Sequence, residues 1–183
     1  MSKTITEERA VCVFSGGPDS AVAAAIALEK GYSLYLVTFD YGQKTARKEI
    51  ECSIALSKYF KCVEHKVVKI PFLKDIGGSG MTDDTEMLNK TNAFREYVPF
   101  RNSIFLSLAV AWAETLVAKT VYIGSIGGPW LTPDNSPQYF EAFQKVVDIG
   151  TQLRPSIKIV APFAQTTKRE VIARGLKTGV PLS

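Results

Sequence analysis

The sequence predicts an α/β protein: a five-stranded parallel sheet with helices on both faces, in one domain over residues 1–183. Three observations predict it. Short apolar runs alternate with longer segments of helical character, the pattern of parallel strands joined by helical crossovers. The first run, residues 10–13, leads straight into Phe14-Ser15-Gly16-Gly17-Pro18-Asp19-Ser20 and then an Ala-rich helix, a strand–turn–helix unit. The most apolar long stretch, residues 103–119, is broken by Ser107 and Glu114 and is too short for a bilayer, so it reads as a buried helix.

The elements follow in order. Residues 21–30 carry Ala, Ile and Leu and form a helix stopped by Gly31. Residues 33–39 form the second strand, and Asp40-Tyr41-Gly42-Gln43 leaves its carboxyl end. Residues 44–60 give an amphipathic helix with Ile50, Ile54, Leu56 and Tyr59 towards the core. Residues 62–70 form the third strand, ended by Pro71. Residues 72–97, with Gly77, Gly78, Gly80, Asp83 and Asp84, read as a long lid-like loop holding at most one short helix. Pro99 sets the turn into the apolar helix, whose first residues include Arg101 and Asn102. Residues 120–124 form the fourth strand, and residues 125–136 a Gly/Pro-rich loop with Trp130 and Asp134. Ser136 suits an N-cap and Pro137 a first helical position for residues 138–149. Residues 157–161 form a short fifth strand. Thr167-Lys168-Arg169-Glu170 fits a capping box, so the last helix begins there and ends at Gly175 or Gly179.

With 183 residues, 46% of them hydrophobic, the chain suits one globular domain with a sizeable core. Lys+Arg 22 against Asp+Glu 18 gives a net charge of +4, which suits a polyphosphate ligand or a weak nucleic-acid contact. There is no dense Lys/Arg run, so no direct nucleic-acid partner is expected. Cys12, Cys52 and Cys62 make neither a C-x-x-C nor a zinc spacing and read as reduced thiols of a cytoplasmic protein. The polar, charged residues 1–9 form no signal peptide, and no membrane partner is expected.

The turn after the first strand is built for phosphate. Its glycine pair lets the backbone come close to a ligand, and the helix after it aims free N–H groups and a positive dipole end into the turn. Ser15 and Ser20 add hydroxyls, and Asp19 suits a Mg²⁺ that bridges phosphate oxygens. Neither the Walker lysine nor G-x-G-x-x-G is present. Ligands of parallel sheets bind beyond the carboxyl ends of the strands, where the 40–43 turn and the 125–136 loop also lie. Arg101 and Lys168 each stand at a helix start, against the dipole, and a bound phosphate resolves both conflicts. The plain alternatives are an unliganded polar turn and solvated surface cations.

Ser15-Gly16-Gly17-Pro18-Asp19-Ser20 after a first strand resembles the pyrophosphate loop (PP-loop) of ATP pyrophosphatases, which cleave ATP between its α and β phosphates. Thr38-Phe39-Asp40-Tyr41-Gly42-Gln43, Val98-Pro99-Phe100-Arg101-Asn102 with Ile104-Phe105-Leu106-Ser107, and Thr167-Lys168-Arg169-Glu170-Val171-Ile172 follow in order. Together, from about Arg9 onward, they resemble the 7-cyano-7-deazaguanine synthase family of queuosine and archaeosine precursor synthesis. The resemblance implies a Rossmann-like adenine nucleotide alpha hydrolase fold. It also implies an ATP-dependent carbon–nitrogen ligase that converts the small molecule 7-carboxy-7-deazaguanine and ammonia to the nitrile through an adenylated carboxylate. ATP would be held by Phe14, Ser15, Gly16, Gly17, Pro18, Asp19 and Ser20, with Phe39 as a wall for base or ribose and Mg²⁺ on Asp19. Asp19, Arg101 and Lys168 would serve catalysis, and Tyr41, Gln43, Asn102 and Asp134 the deazaguanine.

The sequence departs from that family at several points. Its Arg-His pair after the Tyr-Gly-Gln turn is Lys44-Thr45 here, and the single histidine, His65, lies in a strand and reads as structural. Its Asp-Cys-Arg becomes Asp134-Asn135-Ser136, in a loop that shapes the substrate pocket. Members continue past residues 179–183 into a four-cysteine zinc site whose cysteines are absent here, so no zinc is expected and the chain reads as truncated or as a zinc-free variant. Two other functions stay open: a related PP-loop ATP pyrophosphatase adenylating a different carboxylate or a tRNA base, and a non-catalytic nucleotide-binding relic. Thiolation ranks low, with Cys12 in a strand and Cys52 and Cys62 expected on elements leading away from the loop. A homodimer is compatible with the sequence.

Overall fold

The structure is a computed structural model that describes residues 8–83, 97–127 and 132–181. Its strands are β1 (Arg9–Val13), β2 (Ser33–Asp40), β3 (Glu64–Lys69), β4 (Thr120–Ile123) and β5 (Lys158–Val160). All are parallel, in the spatial order β3-β2-β1-β4-β5. The chain builds outward from β1 through β2 and β3, then returns to the other side of β1 with β4. The point where strand order reverses therefore lies between β1 and β4, the usual ligand crevice of such sheets. Val13 pairs with both Val37 and Ile123, so β1 and β4 end level while β2 runs on to Asp40.

Alternation along β1 sends Ala10, Cys12 and Phe14 to one face and Val11 and Val13 to the other. On the first face they meet α1 (Pro18–Glu29), with Leu56 and Phe60 at the end of α2 (Ala46–Tyr59). On the second, Val11, Val37 and Val121 pack against Leu106 of α4 (Arg101–Thr115) and Phe140 of α5 (Pro137–Gly150). A final helix, α6 (Lys168–Lys177), docks on α1 through Val171 against Val22 and Ala23. Among the described residues no helix is long and apolar enough to cross a membrane.

Several expectations are corrected in detail. Helix α1 starts at Pro18, inside the stretch read as loop, because proline fits the first helical position. The buried face of α2 is Ser53, Leu56 and Ser57, while Ile54 and Tyr59 are 42% and 52% exposed. The reason is the glycine turn, which lies against that helix: a Cβ on Gly16 would sit 2.5 Å from the Ser53 nitrogen. Only small residues allow that approach, so the bulky ones face outward. Helix α6 runs through Gly175 to Lys177, and Gly179 closes the turn after it: Val180 N–H donates to the Gly175 carbonyl and Gly179 N–H to Leu176. The 72–97 segment opens with a one-turn helix, α3 (Phe72–Asp75), pinned by fully buried Leu73. The rest of that loop from residue 84 to 96, and Trp130, lie outside the described residues. The N-cap at Ser136 and the capping box at Thr167 and Glu170 form as expected.

Candidate active site

Gly16, at φ +78, turns the chain from β1 into α1. Gly17 is the N-cap, so the helix opens with no side chain accepting its first N–H groups. The Ser20 hydroxyl donates to the Gly17 carbonyl at 2.9 Å, and Ser15 Oγ accepts from Gly17 N–H at 3.3 Å, which holds both hydroxyls beside the helix start. From the far side β4 presses in: a Cβ on Gly124 would meet the Asp19 carbonyl and the Ser20 nitrogen at 2.6 Å. The end of β1 is fixed by Thr38, whose single hydroxyl proton goes to the Phe14 carbonyl. Thr38 must then accept from His65 Nε2–H at 2.8 Å, which sets the tautomer. Burial holds the His65 pKa below its ordinary value, and the ring is a strut, as its strand position suggested.

The opposite wall is aromatic and cationic. Phe39 stacks on Phe105 with ring centres 4.3 Å apart. Arg101 Nη1 donates to the Tyr41 hydroxyl at 2.9 Å, and its guanidinium lies 5.6 Å from the Tyr41 ring and 5.9 Å from Phe105. Burial pushes the Tyr41 phenol up, against the pull of Arg101. Between the walls lies a cavity of about 420 Å³, lined by Ser15, Asp19, Ser20, Phe39, Tyr41, Arg101, Asn102 and Phe105, among others. It sits at the carboxyl edge where strand order reverses, with uncapped helical N–H groups on one side and a guanidinium on the other. That arrangement can take a polyanion with an attached planar ring.

Sequence candidates divide into those that line this cavity, just named with Phe14, and those that do not. Gly16, Gly17 and Pro18 line a second cavity of about 440 Å³ on the outer side of the turn, against α2. Gln43 is 3% exposed and its amide is committed: Nε2 donates to the Phe39 carbonyl and to Glu49 Oε2 at 2.9 Å, while Oε1 accepts from Tyr41 N–H. Asp134 is also 3% exposed, and its carboxylate accepts from Asn102 N–H at 2.8 Å and from Thr132. It closes the start of α4, while the Asn102 amide donates to its backbone carbonyl at 2.8 Å. Lys168 Nζ lies 2.6 Å from Asp19 Oδ1 in a pair whose side chains are 52% and 28% exposed. Cys52 does not lead away from the turn; its Cβ would lie 3.0 Å from a Cβ on Gly16.

Sequence reasoning missed Glu49, Ser125 and Asn135, all on the cavity wall. Only Glu49 carried a signal, an acid in the first turn of a helix that follows the second strand. Among the described residues no group of three or more His, Cys, Asp or Glu side chains converges. A divalent cation at Asp19 would therefore take most of its ligands from phosphate and water, the habit of Mg²⁺.

Comparison with known proteins follows the same lines. The chain is 37% identical over 182 residues to the 7-cyano-7-deazaguanine synthase of Oceanobacillus iheyensis, covering 97% of this chain and 82% of that one. It is 36% identical over 180 residues to the enzyme of that name from Methanoculleus marisnigri, covering 95% and 81%. The fold is shared with NMN synthetase from Francisella tularensis, at a TM-score of 0.55 and 18% identity over 96% of this chain and 63% of that one. The model of the queuosine biosynthesis protein QueC matches residues 9–183. With that match over nearly the whole chain, and relatives 36% and 37% identical, the chain belongs to the QueC family.

Proposed function

We propose that the protein is a 7-cyano-7-deazaguanine synthase, an ATP-dependent ligase that turns 7-carboxy-7-deazaguanine and ammonia into the nitrile. The observation that carries the reading is the uncapped start of α1, opening between Ser15 and Ser20 onto the cavity, in a chain that matches this family from residue 9 to 183. A carboxylate does not react with ammonia, because its oxide is a poor leaving group. In the first step a carboxylate oxygen attacks the α-phosphorus of ATP, and pyrophosphate leaves with the electron pair. Ammonia then forms the C–N bond, and AMP leaves from the acyl carbon. A second ATP activates the amide oxygen, and loss of AMP and the N–H protons gives the nitrile.

The chain's part is charge and position. The α1 N–H groups with Ser15 and Ser20 hold the phosphates, and Arg101 offsets the charge that builds on them. Phe39, stacked on Phe105, walls the ring pocket beside Tyr41 and Asn102. Asp19 would hold Mg²⁺, which supplies charge neutralisation on the phosphate oxygens. Lys168, on leaving Asp19, reaches the same phosphates. Gln43 and Asp134 serve as braces, since their polar atoms are already committed. The free thiols suit a cytoplasmic setting. Incubation with ATP, Mg²⁺, ammonium and 7-carboxy-7-deazaguanine is expected to yield AMP, pyrophosphate and the nitrile by mass spectrometry. Asp19→Ala is expected to yield none. Absence of product from the wild-type protein overturns the reading.

A further inference from the structure

The two cavities on either side of the phosphate turn share two wall residues, Ser15 and Glu49. Glu49 is held there. Its Oε2 accepts from the Gln43 amide at 2.9 Å and its Oε1 from the Thr45 hydroxyl at 2.5 Å. Both partners are neutral. The other carboxylate on the inner wall, Asp19, is paired with Lys168. Among the described residues, then, Glu49 is the inner cavity's carboxylate without a cationic partner. The inner cavity faces the phosphate turn and suits nucleotide and acid substrate. The outer one runs past Ala55 and Leu56 to half-exposed Tyr59 and leaves an approach to Glu49 while the inner one is filled.

We propose that Glu49 marks the ammonia site of this enzyme and takes the proton that the nitrogen sheds as it is acylated. This rests on the adenylation reading above. When the ammonia lone pair attacks the acyl carbon, a C–N bond forms and the nitrogen becomes cationic. The carbonyl π pair moves onto oxygen. The Glu49 carboxylate balances the nitrogen's charge and accepts one N–H proton. The tetrahedral adduct then collapses, the C–O bond to AMP breaks with its electron pair going to the phosphate, and the amide is released. Glu49 returns its proton to solvent. An anion positioned by two neutral donors keeps its full charge for the incoming nitrogen, whereas one already paired with lysine does not. Gln43 and Thr45 thereby act as positioning residues.

The test compares two nitrogen nucleophiles in the full-length protein. Hydroxylamine attacks acyl adenylates strongly for its basicity, and its adduct gives a proton directly to water. Glu49→Gln is expected to lower amide formation from ammonia about 100-fold while ATP-dependent hydroxamate formation from 7-carboxy-7-deazaguanine stays at the wild-type rate. Unchanged hydroxamate also shows that the variant is folded and adenylates its acid. If both products fall together, or neither falls, the assignment of Glu49 is overturned. If the wild-type protein gives no hydroxamate from this acid, the adenylation reading itself is what fails.

Discussion

Helices α1 and α4 both start at the rim of the same cavity and both end in the same kind of turn, yet they treat those ends in opposite ways. At its start α1 has a glycine N-cap and no side-chain acceptor. Helix α4 starts from Phe100 at φ +58, and its Asn102 N–H is taken by the buried carboxylate of Asp134. One start is open to an anion from outside; the other carries its anion within the chain. At their far ends, each helix places a left-handed residue after its last turn. In α1 that residue is Gly31, with Gly31 N–H donating to Leu28 and Tyr32 N–H to Ala27. In α4 it is Val117 at φ +53, with Val117 N–H donating to Glu114 and Ala118 N–H to Ala113. Helix α1 is relaxed at both ends, and α4 is strained at both. A ligand site needs free donors, whereas a strut needs only closure.

Substitutions sharpen this contrast, beginning with the largest expected effect. Gly16→Ala puts a methyl 2.5 Å from the Ser53 nitrogen at a positive φ. The displaced turn is expected to lower the rate of AMP release about 100-fold; a near-normal rate would mean that the open start is not where the nucleotide sits. Asp134→Ala leaves buried donors of α4 unpaired and is expected to cost about 1–3 kcal/mol in urea unfolding. A smaller loss in Asp134→Asn would support closure by the carboxylate. At the helix ends, Gly31→Ala meets no atom within 4 Å, so its cost is conformational alone, about 1 kcal/mol. Val117→Gly is expected to stabilise by somewhat less than about 1 kcal/mol, because the relaxed turn is partly offset by a more flexible unfolded chain. Equal melting temperatures for both variants and wild type would remove the strain from the comparison.

The smallest effect expected is a pH slope. The folded protein holds His65 below its ordinary pKa, so above about pH 6.5 both folded and unfolded chains are neutral there and no penalty arises. As pH falls through that value the unfolded chain takes up a proton first, and stability declines until the folded histidine titrates as well. His65→Gln is expected to flatten the stability curve between about pH 7 and 5.5. An unchanged slope would show that the strut beneath the open turn is not titrating in that range.

Much of the frame was legible because it rests on local rules. Apolar runs gave the strands, and Ser136, Pro137, Thr167 and Glu170 announced their helix starts through short-range hydrogen bonds. The glycine turn was legible as geometry, since a glycine pair between strand and helix allows a close backbone approach, and Gly16 makes one against the Ser53 nitrogen. What escaped is tertiary. For Asp134 the sequence holds no sign that its carboxylate accepts from the Asn102 nitrogen, 32 positions away. Gln43 has the look of a recognition residue in sequence, yet its amide is consumed by Phe39, Tyr41 and Glu49. The inward face of α2 followed from a neighbour rather than from hydrophobicity: the turn at Gly16 excludes large side chains that periodicity would have buried.

The pairing of Lys168 with Asp19 has a thermodynamic consequence. Both groups are partly open to water, at 52% and 28% exposure, and such pairs contribute only about 0.2–1 kcal/mol. Asp19 therefore holds Lys168 only weakly. Because Asp19 lies in the first turn of α1 and the lysine opens α6, the pair is one tether between the two helices, and any charge that competes for either group also bears on how firmly the last helix docks.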